Sequence, residues 1–122
     1  MSLRHLVLLK FKTETSSAQV HALETAFAAL ANKISAVQSL EWGVNNSPEG
    51  LNKGFTHCFN LTFADDAARA AYLPHPEHLA FVEQLKPALE DVLVLDALSI
   101  SSSSDADVLR FEIGRASCRE RV

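Results

Sequence analysis

Leu3-Arg4-His5-Leu6-Val7-Leu8-Leu9-Lys10-Phe11 alternates at period two, with Leu3, His5, Val7, Leu9 and Phe11 on one side and Leu6 and Leu8 on the other. Successive side chains leave a pleated backbone on opposite faces, so this pattern predicts a first strand. Both of its faces are apolar. Downstream, Ser16-Ser17-Ala18-Gln19 fits a capping box, with Ser16 as N-cap and Gln19 reaching back. Val20, Leu23, Phe27, Leu30 and Ile34 then fall on one stripe of a long amphipathic helix. Residues 37–44 read as a second strand with Leu40, Trp42 and Val44 on one face. Asn45-Asn46-Ser47-Pro48-Glu49-Gly50 is a turn by composition, and the hinge-like loop continues through Leu51-Asn52-Lys53 to Gly54.

A third strand is expected over 55–63, with Phe55, His57, Phe59, Leu61 and Phe63 on one side. Asp65-Asp66 opens a short helix over 67–73, because early acids complement the helix N-terminus. Pro74 stops it, and Pro76 suits the first turn of another helix that carries His78, Phe81, Val82 and Leu85 on one stripe. Pro87 predicts a break, and 92–100 reads as the fourth strand. The order β-α-β-β-α-β, with its second helix split, predicts an α+β ferredoxin-like protomer with a four-stranded antiparallel sheet over residues 1–100.

The 122 residues hold 48% hydrophobic and 21% charged side chains with a net charge of -4, an ordinary composition for one globular domain. An acidic balance without a Lys/Arg run argues against nucleic acid or an anionic membrane surface as the main partner. The apolar run Leu6-Val7-Leu8-Leu9 is far shorter than a membrane span, and no signal peptide is read at the start, so a cytoplasmic location is expected. Residues 101–111 (SSSSDADVLRF) read as a polar tail. Residues 112–122 (EIGRASCRERV) resemble the in-frame translation of a sequencing-adapter oligonucleotide, and are set aside. Without their three arginines and two glutamates the chain keeps 8 Lys+Arg and 13 Asp+Glu, a net charge of -5, and Cys58 is its single cysteine.

Two helices can cover only one face of the sheet. Leu6, Leu8, Leu93, Leu95 and Ala97 make the other face too apolar for water, which predicts a homodimer packed sheet against sheet. On the helix-facing side, His5 and His57 sit among Leu, Val and Phe, and His78 enters from the opposite wall. All three imidazoles are expected in one cavity. Asp96 is costly to bury there unless an imidazole pairs with it, which is a base-and-orienter arrangement. Tyr72 stands at the mouth of the same space. Phe27, Leu30, Phe59, Phe81 and Val82 are expected to line a small, mostly apolar pocket. His75 and His78 share helical spacing, but a lone H-x-x-H is a weak ligand signal, so neither metal nor cofactor is expected. The bland alternative is that these histidines are hydrogen-bonded core residues. The chain would then be a non-catalytic stress or interaction protein whose dimer is the working unit.

Four segments carry a resemblance: Arg4-His5-Leu6-Val7-Leu8-Leu9-Lys10-Phe11, then Ser47 to His57, then Ala71-Tyr72-Leu73-Pro74-His75-Pro76-Glu77-His78, then Val94-Leu95-Asp96. Through them, residues 3–100 resemble the stress-responsive dimeric α+β barrel (Dabb) family. The resemblance implies protomers that dimerise through their sheets into a barrel. It extends to the plant members that cyclise polyketides, at His5, His57, Tyr72, His78 and Asp96. Carried over, it implies His78 as acid/base, Asp96 as the residue that orients it, and Tyr72 at the substrate carbonyl.

Overall fold

The alternation of the first strand is what the sheet is built on, since β1 (Leu3–Phe11) runs through its middle and pairs antiparallel with a neighbour on each side. The computed structural model describes residues 2–99. Ile100, the polar tail at 101–111 and the string at 112–122 lie outside the described residues. After β1 come α1 (Ser17–Lys33), β2 (Ser39–Val44), β3 (His57–Phe63), α2 (Asp66–Tyr72), α3 (Pro76–Leu85), a single 3-10 turn (Lys86–Ala88) and β4 (Leu89–Leu98). The sheet order is β2-β3-β1-β4, the ferredoxin-like arrangement.

Local chemistry sets the boundaries. Ser16 caps α1 by accepting from the Gln19 N–H at 3.1 Å, while the Gln19 side chain accepts from the Ser16 N–H at 3.0 Å. Asp65 caps α2 in the same way, accepting from Ala68 N–H at 2.9 Å. Three strands start at a different residue from the sequence reading. β2 starts at Ser39 because Val37 donates its N–H to Ile34 in a turn and is buried there. β3 starts at His57 because the Phe55 N–H turns back to Asn52. β4 begins earlier than expected, at Leu89, because a register shift opposite Lys10 and Phe11 lets Glu90 leave the ladder. Pro87 falls in the 3-10 turn, as its missing N–H requires.

The core lies between the helices and the inner faces of β1 and β3. Leu3, Val7 and Leu9 of β1 meet Phe59, Leu61 and Phe63 of β3, and Leu23, Phe27 and Leu30 of α1 close over them with Phe81 and Leu85 of α3. Phe27 and Phe59 stack with ring centres 4.0 Å apart, and Phe81 leans on Phe27 at 4.9 Å. The helix layer stops short of β4. Val92, Val94 and Leu98 share the inner face with Leu9, Val7 and Leu3, yet they remain 44%, 52% and 56% exposed. Leu93 and Leu95, on the outer face beside Leu8 and Leu6, are exposed as well. β4 is therefore apolar and open on both sides. No helix among the described residues is long and apolar enough to cross a membrane.

Candidate active site

The α2–α3 junction carries the two side chains best suited to chemistry. Leu73 is the C-cap of α2, and helix ends leave carbonyls without an i+4 partner. Pro74 and Pro76 force a new start, and His75 becomes the N-cap of α3, its Nδ1 accepting from the Glu77 N–H at 3.1 Å. The turn brings His78 back over the junction, where its Nδ1–H donates to the Leu73 carbonyl at 2.8 Å. A carbonyl only accepts, so this bond places the neutral ring's proton on Nδ1 and leaves Nε2 with a lone pair. His78 is half-buried, with its ring centre 4.3 Å from that of Tyr72. Tyr72 is 1% exposed, and burial pushes its hydroxyl well above the ordinary tyrosine range. It therefore remains a proton donor.

Behind Tyr72 stands a second imidazole. His5 lies with its ring centre 6.1 Å from Tyr72 and 6.0 Å from Phe63. The β1–β4 register puts Asp96 directly across from His5, and the His5 Nδ1–H donates to Asp96 Oδ1 at 2.5 Å. The other oxygen, Oδ2, accepts from Arg69 Nη1 of α2 at 3.0 Å. Arg69 also reaches Asp66 at 3.6 Å. The orienting role that the resemblance implied for Asp96 thus needs correction. Asp96 holds His5 and Arg69, and the Leu73 carbonyl holds His78. Position in the ladder decides this, because Asp96 and His5 are cross-strand partners while His78 sits above the sheet on α3.

His57 does not share this space. Leu9, not His5, is its partner on β1, so four residues separate the two imidazoles along the sheet, about 13 Å at the usual strand rise. His57 Nε2–H donates to Glu24 Oε2 of α1 at 2.6 Å, and its Nδ1 accepts from the Thr56 hydroxyl at 2.8 Å. Phe11 meets its ring edge-on at 5.1 Å, and Trp42 lies parallel to it at 6.1 Å. The apolar residues expected to line a pocket lie in or beside the core. Phe27, Leu30, Phe59 and Phe81 are each 5% exposed or less and fill the core, and Val82 is half-buried at its edge. Two open hollows lie elsewhere in the described residues. One, of about 620 Å³, lies beneath the β2–β3 loop. The other, of about 280 Å³, lies between Lys12, Gln19 and Pro87. Neither is lined by Tyr72, His78 or Asp96.

Arg69, Glu24 and Leu73 were not read as site residues from sequence. Glu24 flanks the apolar stripe of α1, and a histidine on an apolar strand face is the one signal that an acid must reach it. Arg69 gave a similar, weaker signal as the only cation of α2. A backbone carbonyl such as that of Leu73 leaves none. His75 is engaged as a cap through Nδ1, and His78 is held through its own Nδ1 at the Leu73 carbonyl. Among the described residues no group of three or more His, Cys, Asp or Glu side chains converges as a metal site.

Tyr72 is the single tyrosine of the chain, so its ionisation can be followed by tyrosinate absorbance alone. The raised hydroxyl predicts no tyrosinate near pH 10, where free tyrosine titrates, with absorbance rising only at higher pH or on unfolding. A folded value above the unfolded one means that the stability Tyr72 contributes is complete below about pH 10 and is lost as pH climbs towards the folded value. A half-titrated Tyr72 at pH 10 in the folded protein would contradict its burial.

A family model described as the stress-responsive A/B barrel domain (Dabb) matches residues 3–99. A stress-response A/B barrel domain-containing protein of Arabidopsis thaliana, HS1, is 36% identical over 93 residues, covering 76% of this chain and 85% of the relative. Olivetolic acid cyclase of Cannabis sativa is 30% identical over 96 residues, covering 79% of this chain and 95% of the cyclase. Among solved structures, the hydroxynitrile lyase of Passiflora edulis superposes with a TM-score of 0.77 at 26% identity, covering 82% of this chain and 94% of the lyase. A dimeric ferredoxin-like protein from Jannaschia sp. CCS1 superposes at 0.71 with 25% identity, covering 81% of this chain and all of that one. With a family model spanning nearly the whole described domain and the ferredoxin-like sheet in place, the chain belongs to the stress-responsive A/B barrel (Dabb) family.

Proposed function

We propose that this chain binds a small, mostly apolar carbonyl compound at the Tyr72–His78 end of its helix layer and moves a proton on it, as a cyclase or lyase does. The observation that carries the reading is the bond from His78 Nδ1–H to the Leu73 carbonyl, which leaves Nε2 as the accepting nitrogen beside a tyrosine that stays protonated. His78 Nε2 takes a proton from the carbon next to the carbonyl. The C–H pair becomes an enolate, and the Tyr72 O–H donates a hydrogen bond to its oxygen. The enolate carbon then bonds to an electrophilic carbon or takes the proton back from His78. His5, tied by Asp96 and Arg69, steadies Tyr72 from the other side. Two relatives named as a cyclase and a lyase support this class of chemistry.

A non-catalytic role is the competing reading, and the stacked Phe27 and Phe59 with Phe81 tilted against them favour it because they fill the space between helices and sheet. Exchange of the α-protons of 2-heptanone in D2O, followed by NMR, separates the two. The catalytic reading predicts exchange well above that of free imidazole at equal concentration. It also predicts a loss of about 100-fold or more in His78→Ala and a smaller loss in Tyr72→Phe. Wild-type exchange no faster than imidazole, or unchanged exchange in His78→Ala, would leave only the non-catalytic role.

The same proposal includes a homodimer formed through the outer sheet face, working in the cytoplasm, where the free Cys58 thiol persists. Leu93 and Leu95 are 48% and 59% exposed on that face, and Asn60 Oδ1, buried between β2 and β1 there, has no hydrogen-bond partner among the described residues. A second copy would cover the leucines and bring polar groups within reach of Asn60. The dimeric neighbour of the same fold supports this. Light scattering at micromolar concentration should give twice the chain mass for the wild type and the single mass for Leu95→Glu. A monomeric wild type, or an unaltered dimer in the variant, would refute it.

A further inference from the structure

Two prolines interrupt the connection from α2 to α3, so between Tyr72 and Glu77 only Leu73 and His75 carry a backbone N–H. The Leu73 N–H closes α2 on the Arg69 carbonyl at 3.0 Å, and the His75 N–H turns back to the Tyr72 carbonyl at 3.0 Å. On its other side His75 starts α3. Its carbonyl accepts from the Leu79 N–H at 3.0 Å, and its ring Nδ1 accepts from the Glu77 N–H at 3.1 Å. The backbone is extended there, at φ -62° and ψ 136°, as suits an N-cap that precedes a proline. One residue therefore joins the end of α2, where the phenol stands, to the first turn of α3, where His78 stands.

An imidazole is an uncommon choice for that task. The N-caps of α1 and α2 are Ser16 and Asp65, which accept through oxygen. A neutral histidine ring has one accepting nitrogen, and here Nδ1 supplies it, whereas a protonated ring donates from both nitrogens and accepts at neither. The cap of α3 thus exists only while His75 is neutral. Glu77, two residues on, turns its carboxylate towards Lys33 of α1 at 3.7 Å, and the imidazole of His78 is tied to the Leu73 carbonyl at 2.8 Å. Tyr72, on the α2 side, keeps its proton. Among the described residues no ion pair reaches His75. Loss of the cap leaves the Glu77 N–H without its acceptor and loosens the turn that aims His78, the next residue, at Leu73.

We propose that His75 is a positioning residue with a proton switch: its neutral ring holds His78 over Tyr72, and protonation of that ring releases it. His75 acts through the first turn of α3, by keeping the His78 Nδ1–H on the Leu73 carbonyl. Its effect on turnover rests on the proton-transfer reading above, while its effect on the placement of His78 does not. Acid then reaches the site twice, once at His78 Nε2, which loses its lone pair, and once at His75 Nδ1, which loses its cap.

The test compares the wild type with His75→Asn, which caps a helix well and does not titrate, and with His75→Ala, which does not cap. At about pH 8, where histidine rings are neutral, exchange of the α-protons of 2-heptanone is expected to be about tenfold slower in His75→Ala and restored in His75→Asn. Towards acid, the logarithm of the wild-type rate should fall with a limiting slope of about two, and that of His75→Asn with a slope of about one. Proton–nitrogen NMR at the higher pH should show the His78 proton fixed on Nδ1 in the wild type and His75→Asn, and shared between both nitrogens in His75→Ala. Equal acid limbs in the wild type and His75→Asn, or a His78 ring unchanged in His75→Ala, overturns the proposal. Absence of exchange in every form would defeat the proton-transfer reading instead, and the His78 nitrogen shifts would still decide the role of His75.

Discussion

From Val92 onward β4 carries a single acid among its apolar residues, Asp96, and both of that acid's oxygens are used. One accepts from His5 of β1 and the other from Arg69 of α2, so one carboxylate ties the open strand to its neighbour and to the helix above. The backbone ladder alone would hold β4 in register, but beyond Leu89 the helices leave Val92, Val94 and Leu98 of its inner face about half exposed. Removing the carboxylate would leave a buried imidazole without its acceptor, a cost of about 1–3 kcal/mol by itself. It would also free Arg69 and the wall against which Tyr72 packs. The placement of Tyr72 and, through it, of His78 therefore depends on a cross-strand register set at His5.

Much of this was legible in the residues. The period-two runs in Leu3–Phe11 and His57–Phe63, the capping box at Ser16, and the Pro74/Pro76 interruption each fix an element by local chemistry. Those signals survive because they need no distant partner. What the residues did not reveal were the pairings made by tertiary contact. Asp96 looked like a partner for any nearby imidazole, and only the β1–β4 register assigns it to His5. His5 and His57 share a face, so alternation alone put them together, whereas four residues of strand keep them apart. Glu24 and the Leu73 carbonyl, which decide the proton positions on His57 and His78, sit on a helix flank and in the backbone, where no pattern points to them.

The two ends of the sheet are consequently different in kind. At the Tyr72 end, a protonated phenol and an imidazole with a free lone pair stand over a tightly packed core. At the Lys53 end, a hollow is open, but its imidazole, His57, is satisfied on both nitrogens by Glu24 and Thr56. Reactivity and open volume are thus separated along one sheet. Binding at the Tyr72 end requires the helix layer to yield, and the exposed inner face of β4 is the side with the fewest contacts to break.

The central claim is that backbone geometry at the α2–α3 junction leaves His78 Nε2 free to accept a proton. Long-range proton–nitrogen NMR of the imidazole rings reads this directly, since protonated and lone-pair nitrogens resonate far apart. At a pH where the rings are neutral, the account predicts the proton on Nδ1 in His78 and in His5, and on Nε2 in His57. A His78 ring carrying its proton on Nε2 would contradict it, because the nitrogen assigned as the base would then be a donor.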